Sequence, residues 1–504
     1  MKEKLVLDPD RFFDPNPKVR KIARELYESV KNVPIVSPHG HVDPKLFAYP
    51  DISFGNPTEL IIIPDHYLYR MLYSQGISLE SLGIPTLDNK INIETDKNEN
   101  SIIHKYNSTI KGELEDKNEI KERVEEDPKK IWQIFAENFY LFRGTPSSIW
   151  LNYEFSEVFG IKYKLTKETA MEIYDEINEK LKLPEFKPRN MFDKFKIEVL
   201  ATTDEATSTL KYHRAIKSSN WNRRIIPTFR PDAVISIQSK NWRKNIEELS
   251  RISEIDIVDY RTFIKALKKR IEFFKSLGAT SIDIAVLDPY TEELSEIAVD
   301  NIFASALKNT VNENDSKKFT AHILMEMAKI SIEYSLVMQL HCGCYRNHNQ
   351  EIYQKFGPDK GCDIPVRIEF TENLKALLNK YGNNPNFTIV VFTLDESTYS
   401  RELAPLAGHY PALKLGPPWW FHDSINGMIR FREQITETAG LYNTTGFVDD
   451  TRAFLSIPAR HDLARRIDSN WLAGLVARHI IDITDAREMI KDCAYGLAKK
   501  TYKF

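Results

Sequence analysis

The 504-residue chain carries 69 basic and 72 acidic residues, a formal net charge of −3, and 42% of its residues are hydrophobic. This balance is typical of a globular, water-soluble protein, and it lacks the strongly basic character that nucleic-acid partners require. No run of 18 apolar residues and no signal-peptide core is present, and the four cysteines form no CxxC pair, so we expect a cytoplasmic protein with reduced thiols that is not embedded in a membrane.

Short apolar runs of strand length recur along the chain, separated by longer amphipathic patterns. Helical periodicity is clear over residues 257–277 and 317–334, for example. Alternating strands and helices predict a parallel sheet, and eight such units predict an α/β fold closed into a TIM-like (β/α)8 barrel. The predicted strands are residues 34–42, 198–204, 224–232, 281–287, 335–343, 387–394, 412–421 and 445–452.

The first two predicted strands are separated by far more residues than one connecting helix needs. Helical patterns over residues 59–75 and 130–141 flank a polar, charge-dense stretch over residues 88–130. We therefore predict a barrel formed by residues 1–43 and 198–504, with an inserted helical subdomain formed by residues 44–197. Helical patterns near the end of the chain also predict a helical C-terminal tail.

Polar side chains follow most of the predicted strands. These groups are His39 and His41, Thr202 to Asp204, Arg230 and Asp232, His341, Trp419 and Trp420, and Asp450 and Arg452. Barrel active sites lie at the C-terminal ends of the strands, and a purely structural barrel has no need of ionisable groups there. The pattern therefore predicts an enzyme.

The sequence His39-Gly40-His41 ends the first predicted strand. Residues i and i+2 of a strand point the same way, so both imidazoles face one side, and Gly40 lets another group approach closely. Two converging imidazoles suit a divalent metal such as zinc. A bare HxH is more often an ordinary pair of histidines, but the strand-end position and the apolar lead-in favour a metal site here.

Asp450, in the eighth predicted strand, is the candidate for a further metal ligand. In a closed barrel the eighth strand lies beside the first, so Asp450 can reach the two histidines. A carboxylate there can bind a metal and also transfer protons. Asp449 is the alternative in this pair. His341 could complete the ligand set, act as an acid or base, or be a core histidine.

Arg230 and Arg452 also stand at predicted strand ends. Each could pair with a protein carboxylate, Asp232 or Asp450, because a buried arginine usually has such a partner. Each could equally hold a substrate carboxylate in bidentate fashion. The sequence leaves both interpretations open.

Trp419 and Trp420 follow the Gly-Pro-Pro sequence at residues 416–418 and would wall the mouth of the barrel. A tryptophan pair is more often packing than function. Flat aromatic walls also suit sugar rings, so both interpretations stand.

Six motifs, in this order along nearly the whole chain, resemble the uronate isomerase (glucuronate isomerase) family. They are PHGHVDP, TTD, FRPD, QLHCGCYRNHN, GPPWWFHD and GFVDDTRAFLSIPARHD. The resemblance implies a distorted amidohydrolase-type barrel with a helical insertion after strand one. It also implies an aldose–ketose isomerase of sugar-acid catabolism, interconverting D-glucuronate with D-fructuronate and D-galacturonate with D-tagaturonate. A homo-oligomer is expected.

The resemblance also implies the roles of individual residues. One divalent ion, zinc first and manganese, iron or cobalt as alternatives, would be held by His39, His41 and Asp450. Catalytic roles fall to Asp450, Tyr67, Arg452 and His341. Substrate contacts fall to His66, Arg230, Asp283, Trp419 and Trp420. The family usually has Asp-His where this chain has Asp283-Ile284.

Isomerisation moves a proton between C2 and C1 through an enediol, and it needs a base, an acid and groups that stabilise an oxyanion. We predict Asp450 as the base, and the resemblance implies that Tyr67 and Arg452 stabilise the charge on oxygen. Two other classes stay open: a metal hydrolase of the same superfamily and a non-catalytic sugar-acid binding protein. The fourth strand has no lysine to bridge two metals, which counts against the hydrolase. The intact metal-site residues count against a decayed binding protein.

Overall fold

The computed structural model describes residues 2–87 and 124–504, so most of the polar stretch 88–130 lies outside the described residues. The strands are β1 (Ile35–Ser37), β2 (Ile197–Glu205), β3 (Arg224–Arg230), β4 (Ser281–Val286), β5 (Val337–Cys342), β6 (Cys344–Tyr345), β7 (Ile364–Pro365), β8 (Ile389–Thr393) and β9 (Leu413–Leu415). In this part of the chain, no helix is both long enough and apolar enough to cross a membrane.

Helices connect the strands and follow them at the end of the chain. The α-helices are α1 (Pro17–Val30), α2 (Lys45–Ala48), α3 (His66–Tyr73), α4 (Pro128–Glu137), α5 (Pro146–Tyr153), α6 (Ala170–Leu181), α7 (Pro188–Lys194), α8 (Lys211–Ser218), α9 (Asp232–Ile235), α10 (Trp242–Ser253), α11 (Tyr260–Ser276), α12 (Glu296–Leu307), α13 (Glu313–Glu333), α14 (Gln350–Phe356), α15 (Lys375–Tyr381), α16 (Ala404–Ala407), α17 (Ile425–Ala439), α18 (Ser456–Ala477), α19 (Ile483–Lys491) and α20 (Leu497–Thr501). Short π turns are Thr58–Ile62, Glu154–Val158, Tyr399–Leu403 and Asp492–Gly496, and 3₁₀ turns are Glu80–Leu82, Phe139–Phe142, Pro184–Phe186 and Leu441–Asn443.

Within the described residues, seven strands form one parallel sheet in the order β1-β2-β3-β4-β5-β8-β9. The remaining two, β6 and β7, pair antiparallel just after β5. Sequential parallel strands joined by helices confirm the predicted barrel-type α/β fold.

The chain after β9 closes the sheet without a regular eighth strand. Thr444 pairs with Leu415 of β9, and the N–H of His41, beyond β1, donates to the carbonyl of Thr451 over 2.8 Å. The prediction of a strand over residues 445–452 is therefore wrong, although this segment does lie between β9 and β1, as expected. Gly446 and Asp450 have φ angles of +72° and +40°, which extended backbone does not allow.

Two further predicted elements are shorter than expected. The seventh strand, predicted over residues 412–421, covers only β9, because Pro417 and Pro418 offer no N–H for strand pairing. The first strand, predicted over residues 34–42, is confined to β1.

The strands alternate between an outer core and the barrel interior. On β5, Met338 and Leu340 pack with the outer helices in the largest hydrophobic cluster, whereas Val337 and His341 face inward. Tyr502, just after α20, is fully buried in the interior cluster with Val337. The helical C-terminal tail therefore fills the end of the barrel away from the strand C-termini.

The helices between β1 and β2 share a second hydrophobic cluster. This cluster also takes in Ile35 of β1, Ile197 of β2 and Phe454 after the closing segment. The inserted helices therefore pack directly on the barrel. The division into barrel residues 1–43 and 198–504 and a subdomain of residues 44–197 stays a prediction.

Candidate active site

A cavity of about 590 Å³ opens at the C-terminal ends of the strands. Most of the residues singled out from the sequence line it together, although they come from distant parts of the chain. They are His39, His41, His66, Tyr67, Arg230, His341, Trp419, Trp420, Asp450 and Arg452.

His39, His41 and Asp450 converge on one point of the cavity wall. Asp450 Oδ1 lies 3.5 Å from His39 Nε2 and 3.2 Å from His41 Nε2. Gly40 permits this closure, because a Cβ at that position would lie 3.3 Å from the carbonyl oxygen of Thr451. The segment that carries Asp450 and closes the barrel therefore lies beside the HxH motif, as the sequence predicted.

The protonation states of this group suit a metal ligand set. Burial lowers the pKa of His39 to about 3, so its imidazole is neutral and keeps a lone pair. Burial alone would raise the pKa of Asp450, but the neighbouring His39 and His41 hold that pKa below its ordinary value. Two neutral imidazoles and an ionised carboxylate are the ligands that zinc and similar divalent ions bind.

Unpaired buried atoms support the same conclusion. Asp450 Oδ1, His39 Nδ1 and His341 Nε2 are buried and have no hydrogen-bond partner among the described residues. A buried polar atom without a partner is costly, and a bound cation would satisfy the carboxylate oxygen. His39, His41 and Asp450 are thus a donor set that fits a divalent ion.

His341 belongs to a buried chain of ionic contacts. Its Nδ1 lies 2.7 Å from Asp283 Oδ1, and Arg230 Nε donates to the other oxygen of Asp283 over 2.9 Å. Burial would raise the pKa of Asp283, but Arg230 and His341 hold it well below its ordinary value. An ionised Asp283 accepts a hydrogen bond from His341 Nδ1, and Nε2 is then the ring nitrogen of His341 that faces the cavity.

Asp283 does not line the cavity itself. Its side chain is fully buried behind Arg230 and His341, so it would act on a substrate only through these two neighbours. Together with His39 and His341 it also forms a second group close enough to hold a cation. Its oxygens are already engaged by Arg230 and His341, however. Ile284, which replaces the usual histidine of the resemblance, faces away from the cavity into the outer core.

Each of the two arginines has a carboxylate partner that was not considered from the sequence, and Arg230 also has the considered partner Asp232. Arg230 pairs mainly with Asp283 and lies 3.7 Å from Asp232, whereas Arg452 Nη2 lies 3.2 Å from Asp359. Both arginine side chains remain 20% exposed at the cavity. Each can therefore keep its protein partner and still present N–H groups to a substrate.

The alternative residue Asp449 points elsewhere. Its carboxylate is fully buried and lies 3.1 Å from His461 Nε2. Because the two neighbouring aspartates point in different directions, Asp450 alone of the pair reaches the cavity.

The inserted helices supply one wall of the site. His66 and Tyr67 begin α3, where the carboxylate of Asp65 caps the helix by accepting the Tyr67 N–H over 2.8 Å. The Trp420 ring lies 4.4 Å from the His66 ring and 4.5 Å from the Tyr67 ring, and its Nε1 donates to the Asp363 carbonyl. Trp420 therefore packs against the inserted helix and also lines the cavity, and Trp419 lines the cavity beside His341.

Left-handed backbone conformations cluster at this site. Trp420, Phe421 and Asp450 have φ angles of +24°, +68° and +40°. Such angles cost free energy for residues other than glycine and persist where the surrounding packing imposes them. Here they turn Trp420 and Asp450 toward the cavity.

Several polar residues of the site were not singled out from the sequence. Asp359, Arg346 and Arg460 line the cavity, and Asp423 hydrogen-bonds to Tyr67 just behind it. Asp423 and Arg460 stand inside the quoted motifs GPPWWFHD and GFVDDTRAFLSIPARHD, which was the available signal. They lie in a loop and a helix, however, so a search of strand ends missed them.

Comparison with known proteins places the chain among isomerases of sugar acids. The family model described as glucuronate isomerase matches residues 16–88 and 116–502. The chain is 50% identical to the uronate isomerase of Nostoc punctiforme, over 99% of each chain, and 46% identical to that of Sphingopyxis alaskensis, over all of both. It superposes on the crystal structure of glucuronate isomerase from Caulobacter crescentus with a TM-score of 0.91, at 46% identity over 99% of this chain and 98% of that one.

Proposed function

This chain belongs to the glucuronate isomerase family, and we propose that it converts a hexuronate into the corresponding keto acid and back. D-glucuronate would give D-fructuronate, and D-galacturonate would give D-tagaturonate. The reaction is an aldose–ketose isomerisation, which moves one proton from C2 to C1 and one from the C2 hydroxyl to the carbonyl oxygen.

The observation that carries the proposal is a single cavity that joins a metal ligand set to two arginines. His39, His41 and Asp450 stand on one wall, and Arg230 and Arg452 present N–H groups to the same space. A uronate has a carboxylate at one end and a carbonyl and hydroxyls at the other. Cationic donors beside a proton-transferring carboxylate match those two ends.

We propose one divalent ion at His39, His41 and Asp450, with zinc as the first choice and manganese, iron or cobalt as alternatives. When bound, such an ion would polarise and orient oxygen atoms of the open-chain sugar.

Asp450 is proposed as the base that takes the proton from C2 and returns it to C1. It is ionised, faces the cavity and is held in place by His39 and His41. His341, with Nδ1 fixed on Asp283, offers Nε2 for proton exchange with a substrate oxygen. Arg452 donates N–H groups that stabilise negative charge on oxygen in the enediol.

The remaining predicted residues are proposed to bind and shape the substrate. Arg230 is held by Asp283 and would contact the sugar carboxylate. Trp419 and Trp420 would cover the carbon chain, with His66 closing the wall on the insertion side. Such packing excludes water and holds the open chain in a reactive conformation.

Incubation of the metal-loaded protein with D-glucuronate, and separately with D-galacturonate, tests the proposal. We expect the keto acid to accumulate to equilibrium in NMR spectra, and the two rates rank the substrates. A metal hydrolase of the same fold would produce no ketose. Absence of ketose from both uronates with fully loaded protein would contradict the proposed function.

We also propose a homo-oligomeric, cytoplasmic enzyme. Cys342, Cys344, Cys362 and Cys493 are all free thiols, which fits a reducing compartment. Light scattering coupled to size-exclusion chromatography would give the assembly size directly, and a monomer would contradict this part of the proposal.

A further inference from the structure

Asp359 is a further charged residue of the cavity, and it forms an ion pair with Arg452. Its Oδ1 lies 3.2 Å from Arg452 Nη2, and 48% of its side chain is exposed. Asp359 belongs to the loop of residues 357–363 between α14 and β7, and most of this loop lines the cavity. Arg452 belongs to the segment that closes the barrel, so the ion pair joins two separate parts of the cavity wall.

The inserted helix α3 fixes the backbone of Asp359. Asp359 has a left-handed φ of +61°, which costs free energy for a residue other than glycine and persists where packing imposes it. Its carbonyl accepts a hydrogen bond over 2.8 Å from the hydroxyl of Tyr69, a buried residue of α3. Gly361 lies so close to the same helix that a Cβ there would be 2.6 Å from Arg70 Cβ and 2.9 Å from the carbonyl oxygen of His66.

The far end of the loop is held by Asp363. Its carboxylate accepts hydrogen bonds from Arg346 Nη1 over 2.6 Å and from the backbone N–H of Asn347 over 2.9 Å. Its carbonyl accepts from Trp420 Nε1 over 2.9 Å. Because the loop is anchored on both sides of Asp359, the position of this carboxylate is set by the fold before any substrate binds.

Asp359 carries the charge that can hold an arginine. The Arg452 guanidinium keeps the pKa of Asp359 below its ordinary value, so the side chain is a carboxylate at neutral pH. An arginine side chain has several rotatable bonds and loses conformational entropy when it is fixed. An ion pair that fixes Arg452 in advance therefore removes that cost from the reaction.

We propose that Asp359 is a positioning residue, which holds Arg452 so that its N–H groups face the oxygen atoms of the sugar acid. The proposal rests on the isomerase function proposed above, in which Arg452 stabilises the enediol. Asp359 itself does not need to touch the substrate. Because α3 fixes the backbone of Asp359, the inserted helices act on Arg452 through this loop as well as forming one wall of the cavity.

Two variants of Asp359 test the role of its charge. Asp359→Ala removes the carboxylate, and we expect kcat/KM for the preferred uronate to fall roughly tenfold or more. Asp359→Asn keeps the shape, tolerates the left-handed backbone and retains an oxygen that can accept from Arg452, so its kcat/KM should lie between those of Asp359→Ala and wild type. A wild-type value for Asp359→Asn would overturn the proposal, because the loss in Asp359→Ala would then come from the backbone alone.

A double-mutant cycle shows whether Asp359 acts through Arg452. If it does, Asp359→Ala combined with Arg452→Ala should be no slower than Arg452→Ala alone, measured with enough enzyme to quantify the slowest variant. Losses that multiply would overturn the positioning role, because Asp359 would then affect catalysis independently. Should Asp359→Ala not fold, the same cycle with Asp359→Asn gives the answer.

Metal content and a matched variant complete the test. Asp359 variants should keep the metal content of wild type, and loss of metal along with activity would overturn the proposal, because Asp359 would then act on the metal site. Asp193→Ala is the control, since Asp193 is 42% exposed and lies 2.6 Å from Arg223 away from the cavity. It should leave kcat/KM unchanged.

Failure of the proposed function and failure of this inference can be told apart. Wild-type protein that makes no ketose would contradict the isomerase function. Active wild type with an unimpaired Asp359→Ala variant would contradict only the positioning role.

Discussion

At the scale of single residues, the site depends on neighbouring side chains pointing in different directions. Asp449 and Asp450 are adjacent, yet one carboxylate faces His461 and the other faces the cavity. In the same way, the Asp283 side chain contacts His341 of the site, whereas the neighbouring Ile284 side chain packs in the outer core. The identity of a residue alone therefore does not assign its role. The predictions at this scale compare residues of the site with residues of the same type outside it.

The first residue-scale prediction concerns metal content. We expect about one divalent ion per chain in protein purified without chelator, because His39, His41 and Asp450 form a single ligand set. The double variant His39→Ala, His41→Ala should lose it by elemental analysis. Replacing the exposed His409 and His479 by alanine is the control and should leave metal content unchanged. Full metal content in the double variant would contradict the site.

The second prediction concerns Asp450 as the base. Asp450→Asn keeps the shape and removes the basic carboxylate, so turnover at saturating metal should fall by about 10² to 10⁴, the usual effect of general base catalysis. The matched change Asp449→Asn should retain far more activity, because that carboxylate binds His461 instead. Rapid ketose formation by Asp450→Asn would remove Asp450 from the proton path.

A solvent-label experiment sharpens this second prediction. A carboxylate base exchanges its proton with water, so wild-type enzyme in D₂O should place deuterium at C1 of the ketose. Unlabelled ketose at slow turnover would argue for a shielded proton or a hydride shift and against Asp450 as an exchanging base.

At the scale of elements, the C-terminal tail supports the barrel from inside. Tyr502 is fully buried against Val337 and Val390, and its hydroxyl lies 3.1 Å from Gln339 Oε1 on β5. His341, two residues along the same strand, faces the active site. The C-terminal tail thus packs against the first half of β5 and stabilises the strand that carries His341.

The third prediction follows from this packing. Tyr502→Ala should reduce the free energy of unfolding by about 3–5 kcal/mol, the usual cost of deleting a large buried aromatic side chain. Tyr502→Phe should cost only about 1 kcal/mol, for the lost hydrogen bond. Denaturant titration measures both. The exposed Tyr140, replaced by alanine, serves as the control and should change the free energy of unfolding little. If Tyr502→Ala lowered the free energy of unfolding no more than Tyr140→Ala does, the supporting role of the tail would be contradicted.

At the scale of the whole molecule, buried ionisable groups make stability depend on pH in both directions. Burial raises the pKa of Glu154, beneath the insertion wall of the cavity, to about 8. The folded protein therefore binds this proton more tightly than the unfolded chain does. That stabilising contribution is complete below the ordinary glutamate pKa and is lost as the pH rises toward 8. Groups with lowered pKa values, such as Asp283, act in the opposite sense.

The fourth prediction isolates Glu154. Between about pH 4.5 and 8, the unfolding midpoint of wild type should fall progressively relative to that of Glu154→Gln, because only the wild type must take up a proton when it folds, which costs more as the pH rises. Thermal scans across that range measure the difference. The exposed Glu157 on the same turn, changed to glutamine, should show no such trend. A constant difference between wild type and Glu154→Gln would contradict the buried protonated state.

The sequence by itself determined the alternating strands and helices, the HxH motif at the end of β1 and the grouping of most site residues. These follow from local rules, because periodicity and strand direction fix which side chains share an end of the sheet. Only the tertiary structure decided that the eighth segment closes the barrel as irregular backbone around Asp450. It also decided that Arg230 and Arg452 pair with Asp283 and Asp359, and that the Tyr67 hydroxyl donates a hydrogen bond to Asp423. Those contacts join residues between 53 and 356 positions apart in the chain, and no local pattern encodes which buried charge meets which partner.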